Sequence, residues 1–133
     1  MLTHFDFVRA AGQRFIAAEF LLENGYHLDS LYLAGYVVEC SIKSVIIFLT
    51  NNADRQSQFD RISHGATMHR WETLLHVLRD VGGFLPEDVV RGLRRFGWDP
   101  SLRYETVRPP KGEVRGYLKR AQLVIEWARS ELP

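Results

Sequence analysis

Glu39 and Lys43 are the residues of this chain whose types and spacing most clearly invite chemistry. They lie four positions apart within the apolar run 28–49, and on a helix they share one face with Tyr32 and Tyr36. We call these four residues the polar stripe. Proteins seldom bury a carboxylate and an ammonium unless the two are paired or used. Two interpretations stay open: a hydrogen-bonded network that fixes helix register, or part of a substrate-binding or catalytic cleft.

Histidines form the second constellation. His69, Glu72 and His76 follow one another at spacings of three and four, so a helix would place them on one face. As a metal site they offer only three ligands without a supporting cluster, and we expect neither a metal nor another cofactor. His69 begins the predicted third helix, where it would serve either as a cap or as an active-site histidine.

The segment 98–105, WDPSLRYE, is a third candidate because irregular loops often carry function. Folded back on the helices, it would bring the Arg103 guanidinium beside the Glu39 carboxylate and Tyr104 near the substrate. The other interpretation is a structural loop that Trp98 and Tyr104 anchor in the core.

Basic residues are concentrated in the segment 91–120, which holds nine Lys and Arg against three acidic residues. Most of the bases are arginine, which suits phosphate recognition. A solvated basic face, a surface for nucleic acid or nucleotide, and a contact for an acidic protein all fit this charge. The nine are Arg91, Arg94, Arg95, Arg103, Arg108, Lys111, Arg115, Lys119 and Arg120.

Helical periodicity dominates the chain, and no segment alternates long enough to predict a strand. We therefore predict a single all-α domain over residues 1–133, an up-and-down bundle of four long helices plus a short extra helix. The polar segment 51–68 is predicted as a mobile loop with at most one helical turn, and 97–110 as irregular. The predicted helices are 5–24, 28–49, 69–81 and 112–132, with the short helix starting at Pro86.

The expected compartment is the cytoplasm. The N-terminal residues lack the basic and apolar regions of a signal peptide. Glu39 and Lys43 interrupt the longest apolar run, which argues against a membrane span. The only cysteine, Cys40, has no partner for an internal disulfide and is interpreted as a small buried apolar residue.

The run LYLAGYVVECSIKSVI resembles the second helix of the HEPN domain (higher eukaryotes and prokaryotes nucleotide-binding domain), in which an aromatic and small-residue helix leads into a Glu-x-x-x-Lys pair. His69 followed by Leu74 and Leu75 is similar to the third helix of that family. WDPSLRYE resembles the loop of many small bacterial members. The resemblance extends over nearly the whole chain.

This resemblance implies an all-helical protein, usually a homodimer, that binds RNA or nucleotide. Many members are metal-independent ribonuclease toxins paired with a minimal nucleotidyltransferase as a toxin–antitoxin system. The ribonuclease members carry Arg, four to six residues, and then His. In this chain the one such spacing runs from Arg70 to His76, and Val77 follows His76 where modified members have tyrosine.

The resemblance suggests roles for individual residues. Proton transfer would fall to His69 or His76, and the phosphate to Arg103 or Arg70. Substrate contacts would come from Tyr36, Glu39, Lys43 and Tyr104. The competing hypothesis is a non-catalytic interaction module that docks a nucleotidyltransferase or presents a substrate to it.

Overall fold

The computed structural model describes residues 2–133, apart from the side chains of Ala66, Thr67, Pro100 and Arg103. Within this range it contains six α-helices and no strand, which confirms the all-α prediction. The helices are α1 (His4–Glu23), α2 (His27–Leu49), α3 (Arg55–Ser63), α4 (Trp71–Asp80), α5 (Glu87–Arg94) and α6 (Lys111–Glu131). Short 3-10 helices span Asn52–Asp54, Ala66–His69 and Pro100–Tyr104.

Helix α2 is the centre of the fold. It packs against α1, α6 and α4, and most of its residues from Ala34 to Ile47 are buried. Fully buried alanines at positions 11 and 18 of α1 let that helix approach α2 closely, and Ser30 of α2 donates a 2.6 Å hydrogen bond to the Ala18 carbonyl. The sequence pattern of an almost wholly apolar helix predicted this central position.

By length and composition alone, α2 is the one helix among the described residues that could cross a membrane. Its mean hydropathy over 18 residues is 1.6, and 67% of that window is buried inside the protein. The apolar surface of α2 is therefore covered mainly by the other helices, as in the core helix of a globular domain.

The segment 51–68 corrects the sequence prediction, because it contains the nine-residue helix α3 where a loop was expected. Its few apolar residues are enough to hold it: Ile62 is fully buried, and the Phe59 ring lies 6.2 Å from the Phe7 ring of α1. The segment is otherwise polar, so its sequence gave little sign of a packed face.

The third predicted helix begins two residues later than expected. α4 starts at Trp71, and Arg70 before it has an extended backbone with φ −94° and ψ 123°. His69 therefore ends a 3-10 turn instead of opening the helix, and it does not continue the face of Glu72 and His76. The more specific prediction, an up-and-down bundle of four long helices plus a short one, stays a prediction: three helices have 20 residues or more and α4 has ten.

The segment 97–110 is irregular, as predicted, except for its 3-10 turn, and both of its ends are tied to the N-terminal half of α2. At one end the Trp98 indole donates a 3.0 Å hydrogen bond from Nε1 to the Leu31 carbonyl. At the other end the His27 ring donates from Nδ1 to the Pro109 carbonyl oxygen, 2.9 Å away. These bonds place the segment beside the polar stripe.

Candidate functional site

The Glu39 and Lys43 side chains form a buried ion pair in the middle of α2. The Lys43 ammonium donates a 2.8 Å hydrogen bond to Oε2 of Glu39, and each side chain is only 7% exposed. The acid lies one helical turn before the base, the order that suits an i,i+4 pair. The predicted pairing is confirmed. Because both groups are buried and poorly screened by water, each charge is neutralised by the other.

His69 joins this pair from the 3-10 turn before α4. Its Nδ1 atom lies 3.2 Å from Oε1 of Glu39, so the two carboxylate oxygens serve two different partners. An ionised carboxylate can only accept a hydrogen bond, so Nδ1 must carry the hydrogen. In the neutral ring Nε2 is then the unprotonated nitrogen, with a lone pair available to accept a proton. The His69 side chain is 42% exposed, in contrast to the buried pair behind it.

Aromatic rings line the polar stripe beside this cluster. The Tyr32 and Tyr36 hydroxyl oxygens are 2.7 Å apart, and the Tyr36 and His69 ring centroids are 6.4 Å apart in an edge-to-face arrangement. Trp98 stacks on Tyr32 and meets Tyr36 edge-on, with centroids 6.0 Å apart in both cases. His69 therefore lies at the margin of an aromatic surface on which a planar group could pack.

Trp98 can reach this surface because position 35 is glycine. A Cβ atom on Gly35 would lie 1.8 Å from Cε2 of Trp98, which no packing could accommodate. The indole therefore lies directly against the α2 backbone, and its burial to 5% exposure fixes the start of the loop.

Arg70 and Asp99 form an ion pair next to the cluster. Nη2 of Arg70 lies 2.7 Å from Oδ2 of Asp99, which connects the residue after His69 to the residue after Trp98. The Ser101 amide donates to the Asp99 carboxylate, and this hydrogen bond, with help from Arg70, lowers the pKa of Asp99 below its usual value. The Arg70 side chain is 49% exposed, so its guanidinium is accessible to an anion as well.

The remaining predicted site residues lie apart from the cluster or cannot be placed. His76 is exposed on α4, and six residues of helix would separate it from Arg70 by about 120° around the axis. Tyr104 is 76% exposed, so it does not anchor its loop in the core as Trp98 does. The Arg103 side chain lies outside the described part of the protein, and its pairing with Glu39 stays a prediction.

Metal ligands do not gather in the part of the chain that the structure describes: no three His, Cys, Asp or Glu side chains there form a group that could hold an ion. What the cluster does offer is acid–base chemistry. A histidine held by a carboxylate in one tautomer, with 42% of its side chain exposed, is suited to move a proton to or from a bound substrate.

Sequence reasoning found Tyr36, Glu39, Lys43 and His69 but missed two features of the site. The Arg70–Asp99 pair joins residues 29 positions apart, and no local pattern indicates such a contact. Gly35 carried a signal that could have been used, because a glycine inside a strong helix often marks a close approach of another group.

Comparison with known proteins agrees with this architecture. A family model described as HEPN domain matches residues 5–131, from α1 to α6, and this range includes Glu39, Lys43 and His69. The chain matched no curated protein and no solved structure. Because the family model covers nearly the whole chain, the protein belongs to the HEPN domain family.

Proposed function

We propose that this protein binds RNA at the polar stripe and cleaves it, with His69 as the group that transfers the proton. One observation carries the proposal: Nδ1 of His69 is hydrogen-bonded to the buried Glu39 carboxylate, while 42% of the His69 side chain remains exposed. HEPN domains are often ribonucleases or nucleotide-binding modules, which agrees with this assignment.

The proposed step is an internal transesterification. Nε2 of His69 removes the proton of a ribose 2′-hydroxyl, and the 2′-oxygen then attacks the adjacent phosphorus. The bond from phosphorus to the 5′-oxygen breaks, and the departing 5′-oxygen takes up a proton from water. The hydroxide left behind takes the proton that His69 carries, which returns the imidazole to its neutral form. The products are a 2′,3′-cyclic phosphate and a 5′-hydroxyl, so that atoms and charges balance.

The other residues have supporting roles in this proposal. Glu39 fixes the tautomer of His69 and stabilises the imidazolium that forms, while Lys43 holds the other oxygen of the Glu39 carboxylate by a 2.8 Å hydrogen bond. Arg70 exchanges Asp99 for the phosphate, because guanidinium binds phosphate oxygens strongly. Tyr36 offers a surface on which a base can stack, and the buried Trp98 holds the aromatic rings of the stripe in place. Arg103 and Tyr104 stay candidates from the sequence alone, and His76, which lies apart from the cluster on α4, has no part in the proposed step.

The first experiment is cleavage of a labelled single-stranded RNA by purified protein in the presence of EDTA. We expect wild type to give fragments ending in a 2′,3′-cyclic phosphate, His69→Ala to lose the cleavage, and His76→Ala to retain it. His76→Ala is the matched control, because it removes an exposed histidine from the neighbouring helix α4. Cleavage that survives His69→Ala would exclude His69 from the reaction.

The biological setting is proposed on the resemblance to the family. We take the protein to act in the cytoplasm as a homodimer, in a toxin–antitoxin pair with a minimal nucleotidyltransferase. Exposed apolar side chains on α1 support a protein contact, since Ile16 is 69% and Phe20 is 66% exposed one turn apart. Light scattering of wild type and Phe20→Glu tests this face: a dimer that becomes a monomer supports it, and an unchanged mass excludes it.

The alternative is a non-catalytic module that docks a nucleotidyltransferase or presents a substrate to it. The buried pair of Glu39 and Lys43 fits this alternative, because a buried ion pair can serve to fix helix register without any role in catalysis. A folded wild-type protein that binds RNA or nucleotide without cleaving it would favour this alternative.

A further inference from the structure

We infer that a groove between α5 and α6 binds the phosphate backbone of single-stranded RNA outside the proposed cleavage site. The basic groove, as we call it, consists of Arg91, Gly92, Arg95, Phe96, Lys119 and Arg120. It comprises two cavities of about 200 and 370 Å³ that share Arg120. The inference rests on the proposed function only in taking RNA as the ligand.

Arg120 lies at the centre of this groove because of how α5 and α6 pack together. Helix α5 lies against α6, and Gly92 is the point of close approach. A Cβ atom on Gly92 would lie 2.8 Å from both Cδ and Nε of Arg120, so the arginine crosses α5 where a side chain is missing. Arg120 is half-buried there, and its side chain lines the same cavity as Arg91 and Arg95.

The charges of the groove are not neutralised by the protein. Among the described residues no ion pair involves Arg91, Arg95, Lys119 or Arg120, and Asp88 is the one acidic residue lining either cavity. Cations in the last turn of a helix interact well with its dipole, which accounts for Arg91. The helix dipole does not account for Arg95, Lys119 and Arg120 at the same groove. Like charges at close range repel each other, so this arrangement is unfavourable in the free protein. A polyanion would relieve this repulsion.

An aromatic and apolar wall favours RNA over an acidic protein segment as the occupant. Phe96 and Leu123 line the larger cavity, and Leu123 is 38% exposed. Phe96 is braced edge-on against the buried Tyr117 ring, 5.5 Å away between centroids. Cations that track a backbone, combined with an aromatic side chain for bases, are typical of surfaces that bind single-stranded nucleic acid.

The groove is also close to the proposed cleavage site along the chain. Gly97 alone separates Phe96 of the groove from Trp98, which stacks on Tyr32 of the polar stripe. Because consecutive Cα atoms are about 3.8 Å apart, the Cα atoms of Phe96 and Trp98 are within about 7.6 Å of each other. In the proposal, one RNA strand extends past Gly97 from the stripe to the groove.

The test is a binding measurement that no cleavage can disturb. The probe is a short, fluorescein-labelled 2′-O-methyl oligouridine, which lacks the nucleophilic hydroxyl, and its anisotropy is followed between about 50 and 200 mM salt. The test variant is Arg91→Gln/Arg95→Gln/Arg120→Gln. The control variant, Arg9→Gln/Arg14→Gln/Arg79→Gln, removes three exposed arginines from α1 and α4, so the net charge changes equally.

We expect the test variant to bind the probe about tenfold more weakly or worse, and its plot of log K against log salt concentration to become shallower by about 2. The control variant should keep the wild-type slope. Phe96→Leu should weaken binding without changing the slope, because it removes a stacking surface and no charge.

Other outcomes would overturn the inference without touching the proposed function. Equal binding by the test variant and the control would place the RNA elsewhere. Wild type that prefers polyglutamate to the oligouridine would identify an acidic protein as the occupant of the groove. Conversely, wild type that binds through the groove but leaves unmodified RNA uncleaved would refute the catalytic role of His69 and leave the groove intact.

Discussion

The Nδ1 atom of His69 lies 3.2 Å from Oε1 of Glu39, which connects a surface turn to the middle of the buried helix α2. Glu39 holds Lys43 with its other oxygen, so one carboxylate serves both the core and the surface. The same contact gives His69 a defined tautomer. The stability of the helix and the chemistry of the site therefore depend on one residue, and they can be separated by mutation.

Glu39→Gln should lower the free energy of unfolding by about 3–5 kcal/mol, because it leaves the Lys43 ammonium buried without its counter-charge. Adding Lys43→Met should restore part of that loss, since the remaining pair is neutral. Urea denaturation of the four proteins in this cycle measures the effect. The exposed Glu126→Gln serves as control, with an expected change within about 0.5 kcal/mol. Additive single effects would contradict the pairing.

Gly35→Ala should displace Trp98 from α2, because the new methyl group would occupy the position of the indole ring. We expect a loss of at least about 1–3 kcal/mol in stability and a red shift of tryptophan fluorescence. Gly112→Ala is the control: it lies in α6, no atom is within 4 Å of its Cβ position, and it should be neutral or stabilise by about 0.4–1 kcal/mol. Equal effects of the two substitutions would show that Trp98 does not pack as described.

Cys40 should react slowly with thiol reagents at neutral pH. Burial, and then the neighbouring Glu39 carboxylate, raise the pKa of its thiol to about 11, so the reactive thiolate is scarce until the pH approaches that value. Stopped-flow labelling of the native protein across pH measures this directly, because Cys40 is the only cysteine. Glu39→Gln removes the second cause and should raise the labelling rate. A labelling profile like that of an exposed cysteine would contradict the burial.

The Asp99 loop should loosen in acid. The Ser101 amide and Arg70 lower the pKa of Asp99 in the folded state, so its contribution to stability is complete above the unfolded value of about 3.9 and is lost as the pH falls through the lower folded value. Asp99→Asn should therefore flatten the decline of stability below about pH 4 and hardly change its slope near neutrality. Denaturation midpoints over this range test the sign. An unchanged acid limb would mean that neither the Ser101 hydrogen bond nor the Arg70 pair holds Asp99 in solution as described.

The fold was largely predictable because α1, α2 and α6 carry regular apolar spacing, and because buried Glu39 and Lys43 break an otherwise apolar helix at a helical interval. Helix α3 was missed because it is mostly polar and Ile62 is the one buried residue between Arg55 and Ser63. Its stability comes from tertiary contact with α2 and with Phe7 of α1, which local sequence does not reveal.

The candidate site was predicted in part for a similar reason. Tyr36, Glu39 and Lys43 share one helix, so their spacing places them together. His69 was chosen as the opening residue of a helix, whereas the structure places it in a 3-10 turn and brings it to Glu39 across 30 positions of sequence. The Arg70–Asp99 pair depends wholly on how the loop packs against α2, and only the three-dimensional structure supplies that.

The central claim is that Glu39 acts on RNA cleavage through His69, and a cycle of single-turnover rates tests it most directly. The measurement compares wild type, His69→Gln, Glu39→Gln and the double variant on one single-stranded RNA, under conditions in which all four are folded. We predict that His69→Gln lowers the rate by about 10²–10⁴, that Glu39→Gln lowers it less, and that the double variant is no slower than His69→Gln. Losses that multiply in the double variant, or a wild-type rate in His69→Gln, would contradict the account.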